Sequence, residues 1–277
     1  MNNLTKRLLL FFIAIPLLSA IVFFVPYYGQ IAVIALIAIT GIICGFEMRS
    51  MLSKVAKKLP PWTVLIPGLW PILAWLINMK CISSISSTLA LIVGVMWALL
   101  DSVLVSEAEF DTGIIRMGTR LLMVLYPGWF LWWVGRLTWL ENSSIILLVF
   151  MLTIFLNDSL AWFFGILFGK HRGVFRVSPN KSLEGFIGGI FFSVLVILVA
   201  SYAWPEIFPQ AKWQLVLFGL AAGFCVTAGD LVESAIKRAA GVKNSGRIIM
   251  GRGGMLDSID SILFTAPLFA IFFQVTT

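Results

Sequence analysis

The chain is short of charge. Asp, Glu, Lys and Arg make up 12% of it, about half of the roughly 25% found in soluble globular domains. With 60% hydrophobic residues and a mean hydropathy of +1.00, this composition excludes an ordinary water-soluble domain. Histidine is nearly absent. The one example, His171, sits in the basic run Lys170-His171-Arg172 with no second His or Cys close by. A zinc site is therefore not expected, and contact with phosphate or a lipid headgroup is the expected use. The cysteines Cys44, Cys81 and Cys225 are odd in number and far apart, which indicates neither a disulfide frame nor a metal cluster. No span-length internal repeat is visible, which argues against an inverted-repeat transporter. Cations are divided among loops and no soluble binding domain is present, so nucleic acid is not an expected partner.

What the chain does have is long apolar runs. A helical span needs about 20 such residues, and runs of that kind fall at 8–25, 31–46, 62–79, 84–105, 119–137, 144–168, 185–204, 213–235 and 260–276. The expected fold is an all-α polytopic membrane protein of about nine transmembrane helices. With the amino terminus inside, 17 of the 20 Lys and Arg residues fall in inside segments, and only Lys80, Arg136 and Lys212 fall outside. The positive-inside rule supports that orientation, which puts the carboxyl terminus outside. The run 8–25 follows Lys6 and Arg7 as a signal peptide would, but Pro16 interrupts it and no small-residue cleavage site follows. It reads as a retained first span. The loop at 47–60 reads as an orientation signal touching anionic headgroups.

Two regions differ in character. Residues 1–140, with about five spans, are almost purely apolar between ordinary loops, whereas 141–277, with about four spans, carry the unusual polar residues. Near the end of the sixth run stands Asn157-Asp158, followed by Ala161, Gly165 and Gly169 at a four-residue spacing that lets another helix approach closely. A carboxylate such as Asp158 in hydrocarbon costs about 2.5–3.5 kcal/mol on insertion scales, so a polar cavity is expected around it. The next loop contains Ser178, Pro179, Asn180, Lys181 and Ser182, and Ser182 can equally be the N-cap of the following helix.

On the eighth run, Asp230, Glu233, Ser234 and Lys237 share one helical face. A Glu233–Lys237 pair would account for two of them and would leave Asp230 in need of a cation or a cavity. The polar stretch from Ser234 to Ser261 then adds Arg238, Lys243, Asn244, Arg247, Arg252, Gly253, Gly254, Asp257 and Asp260. Cations and glycine backbone suit phosphate, and two carboxylates three residues apart suit a divalent cation.

These residues resemble the phosphatidate cytidylyltransferases, also called CDP-diacylglycerol synthases. Their signature runs S-x-x-K-R, then K-D, then P-G-H-G-G-x-x-D-R-x-D. Here the same register carries Ser234, Lys237-Arg238, Lys243-Asn244, Met250-Gly251-Arg252-Gly253-Gly254, Asp257-Ser258 and Asp260. Upstream, Gly229-Asp230-Leu231 with Glu233-Ser234, and Ser178-Pro179-Asn180-Lys181-Ser182 with Glu184-Gly185, match two further family motifs. The likeness covers roughly 155–270. Asn244, Arg252 and Ser258 stand where the family usually has Asp, His and Arg, and Met250 replaces the proline. Asn244 still offers an oxygen, and Arg252 keeps phosphate-binding capacity.

The resemblance implies transfer of the cytidylyl group of CTP to phosphatidic acid, giving CDP-diacylglycerol and pyrophosphate. It implies Mg2+ held by Asp230, Asp257 and Asp260, with a second, monovalent cation such as K+ sharing these ligands. Lys237 and Arg238 are expected to act with Asp257 and Asp260 in catalysis. Ser234, Lys243, Asn244, Arg252, Gly253 and Gly254 would bind substrate, and Ser178, Lys181 and Ser182 would meet the lipid phosphate or position CTP. A homodimer in a bacterial inner membrane, with the site on the cytoplasmic side, completes the expectation. The competing readings are an ion or proton path through Asp158, Asp230 and Asp260, and a family member without activity.

Overall fold

The computed structural model describes residues 26–56, 59–101, 103, 107–249 and 253–276. Among the described residues every regular element is helical, and extended pairing is limited to isolated bridges at Arg172–Ser182 and Ile249–Gly253. In chain order the helices are α1 (Pro26–Leu52), α2 (Ile66–Asn78, led by a 3-10 turn at Pro61–Leu65), α3 (Ile85–Leu100), α4 (Gly113–Met123) and α5 (Phe130–Leu137). There follow α6 (Ser143–Leu167), α7 (Leu183–Ala203), α8 (Lys212–Ala239) and α9 (Leu256–Thr276).

Among the described residues six segments are long and apolar enough to cross a membrane: Ile31–Leu52, Pro61–Asn78, Ser143–Leu167, Leu183–Ala203, Lys212–Ala239 and Leu256–Gln274. Their outward faces carry large apolar side chains, among them Trp162, Ile166, Phe191, Val199, Leu217 and Phe224. Water would penalise so much exposed hydrocarbon, whereas lipid accepts it. The chain is an integral membrane protein.

Two of the expected runs take another form. The run at 84–105 yields the 16-residue α3, about 24 Å long at 1.5 Å per residue, short of a ~30 Å hydrocarbon core. The run at 119–137 is not one helix. Between α4 and α5 lies an irregular segment, Val124–Trp129, in which Tyr126 is extended (φ −129°, ψ 112°) just ahead of Pro127. Proline lacks the N–H that would continue the helical ladder and disfavours a helical residue before it. The first expected span, 8–25, lies outside the described residues.

The chain forms two compact units. The first comprises the described residues up to Trp139 together with Ile236–Ser258. Its core gathers Trp70, Ala74, Val124 and Trp132, with Trp129 stacked on Trp132 at 4.9 Å. Close approach of α1 to the Pro61–Asn78 segment depends on glycine: a Cβ on Gly41 or Gly45 would lie 2.7 Å from the Pro67 carbonyl oxygen or 2.2 Å from that of Val64.

The second unit comprises Leu140–Ala235 and Ile259–Thr277. Here small residues hold helix against helix, the membrane solution when hydrophobic burial offers no driving force between helices. The predicted small face of α6 meets α7, where a Cβ on Gly185 would stand 2.5 Å from the Ala161 carbonyl oxygen and one on Gly189 would stand 3.1 Å from the Ala161 Cβ. Gly219 and Gly223 of α8 abut the backbone of Val194 and Ile190, and Gly229 abuts that of Asp260 on α9. The Asn157 amide nitrogen is held within this packing, donating to Ser193 Oγ (2.9 Å) and the Gly223 carbonyl (3.3 Å). Phe150, Phe218, Phe269 and Phe273 fill the remaining core.

Candidate functional site

The polar residues of the second unit surround a cavity of about 390 Å3. The loop between α6 and α7 builds one wall. Arg172 clamps that loop to the end of α6, donating from Nη2 to the Gly165 carbonyl (2.8 Å) and from Nη1 to the Asn180 carbonyl (3.2 Å). His171 pairs with Glu184 at 2.6 Å. Ser182 is the N-cap of α7, its hydroxyl accepting the Gly185 N–H at 3.2 Å, and is only 3% exposed.

This frame aims Lys181 into the cavity, where its ammonium meets Asp230 Oδ2 at 2.5 Å. Asp230 Oδ1 also accepts from Ser234 at 3.3 Å. Sequence reading left Asp230 in need of a cation or a cavity, and the fold supplies both. The pair remains about one-third exposed (30% and 33%), so a ligand can reach it. Asp158 and Thr227 add polar lining, while Trp162, Ile166 and Phe186 supply apolar lining. A pocket with a cation at one side and hydrocarbon at the other suits an anionic amphiphile.

The first unit holds the glycine-rich loop. Asp257, in the first turn of α9, takes the Lys237 ammonium on Oδ1 at 2.6 Å. Its Oδ2 accepts from the N–H groups of Ser245 (2.9 Å) and Gly254 (2.7 Å) and lies 3.0 Å from the Ser245 hydroxyl. Gly253 has φ +115°, a conformation L side chains rarely adopt, and a Cβ there would lie 2.6 Å from Asp257 Oδ2. Lys243, Asn244, Arg238 and Arg247 are exposed around this loop. Exposed cations gathered on one loop in this way can hold a polyphosphate.

Within the second unit the structure brings together Asp230, Lys181 and Ser234, with Ser182 and Asp158 on the same cavity. Within the first it brings together Asp257, Lys237, Gly253, Gly254 and Asn244, whose Cβ lies 3.2 Å from the position a Gly253 Cβ would take. Asp260, 8% exposed, receives the Ser261 N–H on Oδ1 at 2.6 Å. Ser178 is half-buried within the loop that carries Lys181. Arg252 lies outside the described residues. The sequence pattern offers Lys237 to Glu233 and no partner to Asp230 or Asp257, yet in the fold Asp230 holds Lys181 and Asp257 holds Lys237.

Among the described residues no three His, Cys, Asp or Glu side chains gather around one point. The donors are nevertheless of the kind magnesium takes: hard carboxylate oxygens, each at Asp230 and Asp257 already compensating a positive charge. Two residues escape sequence reading: Ser245, flanked by more conspicuous neighbours, and Glu47, which looks like an ordinary interfacial acid beside Arg49. The one local signal for Glu47 is its position at the end of an apolar run, where an acid needs a partner.

Fold and site together define an integral membrane protein with a lysine-bearing polar cavity and a glycine-rich basic loop. A model of the cytidylyltransferase family matches residues 5–276, and the chain belongs to that family. It is 44% identical over 131 residues to a Staphylococcus saprophyticus protein named phosphatidate cytidylyltransferase, a match covering 47% of this chain and 49% of the relative. The same figures hold for a Staphylococcus aureus protein of that name, and one from Staphylococcus epidermidis is 43% identical over 134 residues. The chain thus spans about half the length of the curated relatives it matches.

Proposed function

We propose that this protein transfers the cytidylyl group of CTP to phosphatidic acid, releasing pyrophosphate and forming CDP-diacylglycerol for phospholipid synthesis. The observation that carries the reading is the Asp257–Lys237 pair set in a glycine-framed loop, in a chain of the cytidylyltransferase family. A phosphate oxygen of the lipid attacks the α-phosphorus of CTP, and the bond to the β,γ-pyrophosphate breaks. That oxygen is already anionic near neutral pH, so no strong general base is required. The protein's work is positioning and charge neutralisation.

In this reading Lys237 and Arg238 hold the triphosphate, aided by Lys243, Asn244, Arg252 and the close backbone approach that Gly253 and Gly254 allow. Lys181 and Ser182, which line the cavity, and Ser178 in the same loop would meet the lipid phosphate or position CTP, and Ser234 steadies Asp230. Mg2+, with a second monovalent cation such as K+, is the cofactor: the carboxylates of Asp230 and Asp260 in the second unit and of Asp257 in the first are the groups that would hold such ions, whose charge would neutralise that growing on pyrophosphate.

The full topology in this reading has nine crossings. The six long segments are joined by α3, by the broken stretch 119–137 and by the run 8–25, with the amino terminus and the site on the cytoplasmic face of a bacterial inner membrane. The protein works as a homodimer, and nucleic acid is not a partner.

The test is incorporation of labelled CTP into lipid by the purified protein with phosphatidic acid. Label should appear in CDP-diacylglycerol and vanish on chelation of divalent cations. Folded protein that incorporates no label with Mg2+ and both substrates present would sink the reading.

A further inference from the structure

Glu47 stands at the cytoplasmic end expected for α1 and is buried, with 5% of its surface exposed. A buried carboxylate survives only if its lone pairs are used. Its Oε1 accepts the Met255 N–H at 2.8 Å, and its Oε2 accepts the Leu256 N–H at 2.9 Å and the Ser245 hydroxyl at 2.8 Å. Met255 and Leu256 stand at the start of α9, where N–H groups have no acceptor within the helix and negative charge is favoured. Glu47 therefore caps a helix that begins 209 residues further along the chain.

The surrounding backbone is shaped to admit it. A Cβ on Gly246 would lie 2.3 Å from Glu47 Oε1, and one on Gly254 would lie 2.5 Å from Oε2. Ser245 links this carboxylate to the next: its single hydroxyl proton is shared between Glu47 Oε2 and Asp257 Oδ2, while its N–H donates to Asp257. Contacts thus run without interruption from Glu47 through Ser245 and Asp257 to Lys237.

We propose that Glu47 is a positioning residue for nucleotide binding: it fixes Ser245 and the first turn of α9, so that Asp257 holds Lys237 where the phosphates of CTP are bound. This role rests on the cytidylyl-transfer reading. Glu47 itself touches no substrate.

The test uses the full chain in nanodiscs, with Glu47→Gln, Ser245→Ala and the double variant. Gln preserves shape but turns one acceptor into a donor, so an NH2 group faces an N–H or hydroxyl donor. Glu47→Gln should lower kcat/KM for CTP at least about tenfold, the scale of one lost charge-assisted bond, with KM for phosphatidic acid unchanged within about twofold. Ser245→Ala should act in the same direction, and the double variant should be no worse than the poorer single one, because both break one chain of contacts.

Amide exchange across 245–257 should quicken in Glu47→Gln while exchange in α6 and α7 stays as in the parent. Three results would overturn the role: kcat/KM for CTP within twofold of the parent, losses that multiply in the double variant, or equal losses toward both substrates. Should Glu47→Gln fail to fold, Ser245→Ala carries the same substrate-split test alone. If the parent protein turns over no CTP, the cytidylyl-transfer reading fails by itself. Exchange then decides on Glu47, and unchanged exchange at 245–257 rejects it.

Discussion

Replacing Asp257 by Asn tests the centre of the reasoning. The carboxylate is 7% exposed and Lys237 is 13% exposed, so solvent screens the pair little. Asn can place its carbonyl oxygen where Oδ2 stands and keep the N–H donors of Ser245 and Gly254. Its NH2 group then points at the Lys237 ammonium, donor against donor. A hydrogen bond to a charged group contributes about 1.5–3 kcal/mol, and a cation left without its partner in a buried pair raises the cost toward about 3–5 kcal/mol.

Lys237 should therefore leave its present position. Loss of one preorganised electrostatic contact costs roughly 100- to 1,000-fold in turnover, and that is the fall expected in CTP incorporation into lipid. Thermal unfolding should still show a cooperative transition, which separates lost chemistry from a lost fold. The companion Lys237→Gln and the double variant sharpen the result. If the two residues only neutralised one another, the double variant would regain activity; if each serves the nucleotide, it stays inactive. Near-normal turnover by folded Asp257→Asn, or recovery in the double variant, would refute the argument.

Lys181→Ala should raise KM for phosphatidic acid at least about tenfold, again the scale of one charged contact. Its pair with Asp230 is about one-third exposed and so adds less than about 1 kcal/mol to stability; a large fall in melting temperature with unchanged KM would show a structural role instead. Gly185→Ala puts a methyl group 2.5 Å from the Ala161 carbonyl oxygen, and this overpacking should cost about 1–3 kcal/mol, read by thermal unfolding in detergent. Unaltered unfolding would show that α6 and α7 can separate freely. Cys81 is exposed, whereas Cys44 is buried. In intact cells a membrane-impermeant maleimide should label Cys81, and labelling only after lysis would reverse the orientation.

Much of the helical framework was legible in the sequence because its signals are local. Apolar runs of span length mark α1 and α6 to α9, and the spacing of Ala161, Gly165 and Gly169 marks the face that α7 meets. The broken stretch at Val124–Trp129 was harder to read, because its hydropathy is that of a span. Only Pro127 and Gly128 signal the break, and many membrane helices tolerate both.

The family of the chain was also decided by sequence alone, since the signature is a matter of residue type and register. The partners of the charges were not. Lys181 and Asp230 are 49 positions apart in number, and Lys237 reaches Asp257 across a loop, so neither pair follows a helical spacing. Glu47 lies farther still from Ser245, 198 residues away. Periodicity describes what one helix presents, but a buried carboxylate takes whichever donors the packing brings to it. Composition and motif thus determined a membrane protein of the cytidylyltransferase family, while tertiary structure decided which lysines Asp230 and Asp257 hold and which distant acid braces the loop.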